Sequence, residues 1–196
     1  VLGRSLLATA GVVSVGLGSA VLLARTPLPQ VLPALGVLAF GIPYFAAPIT
    51  SLYWLQHWDP WLVFLLCAVV WLGDAAALYV GSALGRHKMA PVVSPKKSWE
   101  GAAAGLVTGI ITTMAWSLYP LDRVDLPLLL VATTAGVAAQ IGDLVESQFK
   151  RSVSVKDSGS VLPGHGGMFD RMDAMLFAAP VMLVGLWLIR FEVGAR

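Results

Sequence analysis

The chain has 196 residues, 57% of them hydrophobic and 12% charged, with a formal charge of +2. Soluble domains carry about 25% charged residues, so this balance excludes an ordinary water-soluble domain and makes a bilayer the expected solvent. The small net charge offers no broad basic field and excludes nucleic acid as an expected partner, while the lone Cys67 excludes an internal disulfide.

A membrane-spanning helix needs about 20 apolar residues, since each adds about 1.5 Å against a hydrocarbon core about 30 Å thick. Six candidate spans follow one another. The first, Ser5–Ala24, is long for the core of a signal peptide and right for a spanning helix. The second lies in Leu32–Trp54. Its prolines, Pro33, Pro43 and Pro48, predict a kinked or broken helix. The third, Pro60–Leu84, carries Asp74. The fourth is Gly101–Tyr119, and the fifth is Leu126–Gly142 with a polar extension towards Lys150. The sixth is Ala174–Ile189. The expected fold is an all-α, polytopic helical bundle forming a single membrane-embedded domain over residues 1–196. The chain begins at Val1, and further N-terminal helices are expected to precede it.

The basic residues orient this bundle. Arg86, Lys88, Lys96 and Lys97 lie between the third and fourth spans, and Lys150, Arg151, Lys156 and Arg171 between the fifth and sixth. Alternating helices place both loops, with Arg25, on one side. The positive-inside rule makes that side cytoplasmic. Trp54, Trp58, Trp61, Trp116 and Trp187 then fall near the opposite interface, as an aromatic belt does. Gly101, Gly105 and Gly109 form a four-residue stripe that permits close helix approach. The stripe reads first as packing within one bundle and second as a homodimer seam.

Chemistry concentrates in the two polar loops and their flanking helices. Asp143, Glu146, Ser147 and Lys150 share one helical face, which carries oxygen ligands of the kind metals use and a cation one turn beyond. Lys156 and Asp157 open a flexible stretch that contains "PGHGG", Pro163–Gly167. Its glycines let backbone N–H groups approach a ligand. Asp170 and Asp173 sit one turn apart at the entrance to the sixth span, where helix capping is the plainer account of them. Asp74 costs about 2.5–3.5 kcal/mol at a bilayer centre, so it is expected to line a polar cavity with a partner. "SPKKSWEG", Ser94–Gly101, brings Lys96, Lys97 and Glu100 to the start of the fourth helix. Carboxylates for Mg²⁺ and cations and glycines for phosphates at one membrane edge suit phosphoryl or nucleotidyl transfer to a membrane-embedded substrate.

The stretch "SQFKRSVSVKDSGSVLPGHGGMFDRMD", Ser147–Asp173, resembles the phosphatidate cytidylyltransferase (CDP-diacylglycerol synthase) family at every fixed position of its signature. "GDL" at Gly142–Leu144 and "SPKKSWEG" are similar to the family as well. The likeness runs from about Ala68 to the C-terminus. It implies a reaction in which CTP and phosphatidate give CDP-diacylglycerol and pyrophosphate. It implies Mg²⁺ with a second, monovalent ion, K⁺, and a bacterial inner-membrane protein whose active site faces the cytoplasm. By the same resemblance, Asp143, Asp170 and Asp173 are the expected metal ligands. Lys150, Arg151, Lys156, Asp157, His165 and Arg171 are the expected catalytic group. Asp74, Lys96, Lys97, Ser147, Gly164, Gly166 and Gly167 are the expected substrate contacts. The chain departs from the family pattern at Leu78 and Ser82 in the third span, and at Ser98 and Ala174. A CTP-dependent lipid kinase and a transporter-like membrane protein are the alternative readings.

Overall fold

The computed structural model describes residues 13, 15–22, 24, 27–119, 126–155 and 169–189, with only the backbone of Phe169, Asp170 and Arg171. The elements are α1 (Leu28–Trp58), α2 (Pro60–Leu84), β1 (Lys88–Ala90), β2 (Ser94–Ser98), α3 (Trp99–Leu118), α4 (Leu126–Ser152) and α5 (Phe169–Leu188). Residues 15–22, within the first expected span, are helical too. Helices α1 to α4 are long and apolar enough to cross a membrane, and α5 adds the shorter apolar stretch Met172–Leu188. The fold is an all-α polytopic one with, among the described residues, a single short hairpin, and the chain is an integral membrane protein.

Of the two outcomes expected for the second span, a kink or a break, the break does not occur. Helix α1 continues through Pro33, Pro43 and Pro48 as one element of 31 residues. Each proline removes one ladder hydrogen bond, and the residues between them keep the rest of the ladder. The chain divides into two compact units, Val1–Ala47 and Pro48–Arg196, and the division falls inside α1. In the first unit, Phe40, Tyr44 and Phe45 form a run of ring contacts on α1 with centroids 5.2 Å apart.

The second unit holds the core. Leu62, Leu65, Leu66, Val69 and Val70 of α2 meet Leu128, Val131 and Ala135 of α4 and Ala178, Met182 and Leu186 of α5. The outer faces are equally apolar: Phe64 is 57% exposed, Trp71 61% and Ile111 60%. Helices apolar on both faces are stable where the solvent is lipid. Asp59 caps α2 by accepting from Trp61 N–H at 2.9 Å, with Pro60 in the first helical position.

Helices α2 and α3 form the most extensive interface, followed by α4 and α5. The α2–α3 seam is built on the glycine stripe. A Cβ on Gly101 would lie 2.6 Å from the Ala77 carbonyl oxygen, and one on Gly105 would lie 2.8 Å from the Gly73 carbonyl oxygen. Real Cβ atoms do not approach so closely, so hydrogen is what lets these backbones touch. The stripe is therefore consumed inside the chain, and its second reading, as a homodimer seam, does not hold. At the far end of this seam the Trp116 indole donates to the Trp61 carbonyl at 3.2 Å, with the two rings 6.2 Å apart.

Candidate functional site

The polar connection between α2 and α3 is a β-hairpin. Its strands pair antiparallel, Lys88 with Ser98 and Ala90 with Ser94, with an irregularity between Lys88 and Ala90. Its base is tied twice. Trp99 N–H donates to the His87 carbonyl at 3.0 Å. The Glu100 carboxylate accepts from His87 N–H at 3.2 Å and lies 2.6 Å from His87 Nδ1. Ser98 ends β2 and caps α3, accepting from Gly101 N–H at 3.2 Å. At this departure from the family pattern, the serine hydroxyl performs the cap.

Alternation along β2 separates the two lysines. Lys96 is exposed, whereas Lys97 points inward. Lys97 Nζ reaches Asp143 Oδ2 of α4 at 2.5 Å. One turn on, Glu146 is fully buried, and Lys150 Nζ lies 2.6 Å from its Oε2. Asp143, Glu146 and Lys150 therefore share a face, as their spacing predicts. Carboxylate oxygens of Asp143, Glu146 and Asp173 all lie within 4.8 Å of one another. Asp173, near the start of α5, also accepts from Ala174 N–H at 2.7 Å. Asp74 is exposed on α2, within electrostatic range of Asp143, Asp173 and Lys97. Its partner is thus this cluster.

Two small features hold α4 in register. A Cβ on Gly142 would lie 2.9 Å from both the Asp173 carbonyl oxygen and Phe177 Cδ2, so this glycine sets how near α5 comes to Asp143. The Gln140 amide donates to the Ala102 carbonyl of α3 at 3.0 Å, one turn before Asp143. Helix α4 then ends in a Schellman motif. Val155 N–H bonds the Lys150 carbonyl at 2.9 Å, Ser154 N–H bonds the Arg151 carbonyl at 3.0 Å, and Ser154 has φ 58°.

The expected site residues divide accordingly. Asp74, Lys97, Asp143, Lys150 and Asp173 come together. Ser147 is half-buried, one residue beyond Glu146. Lys96 is exposed, and Arg151 is exposed with its guanidinium donating to the Val155 carbonyl at 3.3 Å. Lys156, Asp157, Gly164, His165, Gly166 and Gly167 lie outside the described residues, as do the side chains of Asp170 and Arg171. Glu146 belongs to the acidic group but was not among the expected ligands. Its i+3 offset from Asp143 was the available signal. Gln140 gave no signal, because one amide in an apolar run reads as packing.

The chain is similar in sequence to known proteins. A phosphatidate cytidylyltransferase of Bacillus subtilis is 42% identical over 123 residues, which cover 61% of this chain and 45% of the relative. One of Mycobacterium tuberculosis H37Rv is 38% identical over 157 residues, covering 78% of this chain and 45% of the relative. One of Rickettsia bellii is 35% identical over 164 residues, covering 77% of this chain and 70% of the relative. The chain spans about half the length of the first two. The sequence profile described as the cytidylyltransferase family matches residues 3–189, nearly the whole chain. The chain belongs to the cytidylyltransferase family.

Proposed function

We propose that the full protein is a phosphatidate cytidylyltransferase of a bacterial inner membrane, with its site at the cytoplasmic face. It transfers CMP from CTP to phosphatidate. The observation that carries this reading is the convergence of Asp143, Glu146 and Asp173 with Lys97 and Lys150. The complete signature and the named relatives support it. The polar loops on one side support the orientation.

In the reaction, a phosphate oxygen of phosphatidate attacks the α-phosphorus of CTP. The bond from that phosphorus to the bridging oxygen breaks, and its electron pair leaves with pyrophosphate. A phosphate monoester is already ionised at neutral pH, so no base has to remove a proton. The work of the chain is positioning and charge neutralisation. Lys97 and Lys150 would neutralise the phosphates once released from their carboxylates, with Lys156, Arg171 and the "PGHGG" loop as further contacts. The acidic group consists of hard oxygen donors, which fit Mg²⁺. Asp143, Glu146 and Asp173 would hold it, with Asp170 as a further ligand and K⁺ as a second ion, and the metal would supply Lewis-acid charge neutralisation. Any homodimer would use a face other than the glycine stripe.

The test is transfer in liposomes. Full-length protein receives phosphatidate, Mg²⁺ and CTP labelled at the α-phosphate. The expected result is label in CDP-diacylglycerol. Transfer of γ-label to a lipid alcohol would instead show a kinase, and absence of both transfers would overturn the reading.

A further inference from the structure

The two lysines of the site do more than line it. Each ammonium already lies against a carboxylate, Lys97 on Asp143 and Lys150 on Glu146. An ammonium in such a pair is not free to bind a phosphate. Among the described residues the carboxylates Asp74, Asp143, Glu146 and Asp173 outnumber the ammonium groups of Lys97 and Lys150, so a polyphosphate approaching them meets repulsion. A divalent cation on these carboxylates would remove that repulsion and compete with the ammonium for the same oxygen.

We propose that Lys97 is an exchangeable counter-ion, a positioning residue that holds Asp143 until a divalent cation takes that carboxylate and then swings its ammonium to phosphate. The proposal rests on the cation in the preceding reading and adds an order: the metal binds first, and the polyphosphate second. Geometry makes Lys97 suited to this. It projects inward from β2 with its ammonium buried against Asp143, while its side chain as a whole is 25% exposed, so the amine is shielded until the pair opens along a partly exposed stem. Its mount is fixed by the His87–Glu100 clamp and the Ser98 cap. Only the flexible stem has to change.

The experiment is residue-resolved acetylation of the full protein in detergent, read by peptide mass spectrometry. Lys88, exposed on the same hairpin, is the internal reference. Four conditions are compared: no metal, Mg²⁺, pyrophosphate, and both together. Mg²⁺ is expected to raise Lys97 labelling relative to Lys88 severalfold. Pyrophosphate is expected to reverse that rise in the presence of Mg²⁺ and to do nothing alone. In Asp143→Asn, Lys97 should label readily without metal and stop responding to Mg²⁺. A Lys97 signal unmoved by Mg²⁺, or protection by pyrophosphate without metal, would overturn the proposal. The readout is independent of turnover. Metal-dependent labelling without CMP transfer would keep the exchange while the proposed function fell, and transfer without it would sink the exchange alone.

Discussion

The second unit contains two helical hairpins that solve different problems. In α2–α3 the backbones touch at Gly101 and Gly105, Gly109 faces the Val69 side chain, and the connection is a clamped β-hairpin. In α4–α5 the approach is as close but made largely by side chains, with Val131 and Phe177 filling the seam beside Gly142 and Gly185. The first hairpin contributes Lys97 and Asp74, and the second contributes Asp143, Glu146, Lys150 and Asp173. The difference teaches a division of labour. A rigid seam delivers a cation at a fixed height, and a second seam gathers the carboxylates it meets.

That comparison can be broken at several points. The largest effect is expected from Asp143, where the two hairpins join. Asp143→Asn should lower CMP transfer by about 100-fold or more, the scale for removing one preorganised electrostatic group. An unchanged rate would separate the ion pair from the chemistry. Next, Gly105→Leu should force α2 from α3 and destabilise the protein by about 2 kcal/mol or more, the cost of overpacking a tight seam, read as a fall in Tm in detergent. Wild-type stability would mean that the seam is not rigid. Gly142→Ala probes the other seam. Its methyl meets the Asp173 carbonyl and Phe177, so the expected cost is about 1 kcal/mol with a disproportionate loss of transfer as Asp173 moves from Asp143. Gln140→Leu removes an amide stitch between α3 and α4, worth about 0.6 kcal/mol on the scale of membrane-protein hydrogen bonds. Ser154→Gly should act in the opposite direction. Relief of its left-handed backbone is expected to raise stability by about 0.5 kcal/mol or less, set against the greater freedom of glycine when unfolded.

Much of this was legible in the sequence, and for physical reasons. Long apolar runs have one stable use, so α2, α3 and α4 stand close to where hydropathy places them. Helical periodicity put Asp143, Glu146 and Lys150 on one face because the spacing of a helix is fixed. What could not be read was tertiary. Nothing local in Lys96–Lys97 says which lysine faces inward. That depends on the hairpin, whose strands are only three and five residues long. The choice between a kinked and a broken α1 could not be made locally, because prolines disfavour helix while the bilayer penalises exposed backbone more. The fate of the glycine stripe was ambiguous for the same reason: a smooth face does not name its partner.

The α2–α3 seam has a consequence for biosynthesis. Its contacts join neighbours in the chain, the kind that form early because little loop entropy opposes them. Once Leu118 has entered the bilayer, the whole seam from Gly73 to Gly109 is available to close, before α4 exists. Lys97 is then already mounted with Asp74 on the same hairpin, and its further counter-charges arrive later, with Asp143 first and Asp173 last. The cation thus offers a docking point towards which the second hairpin can fold, and the order of synthesis matches the order in which the charges meet.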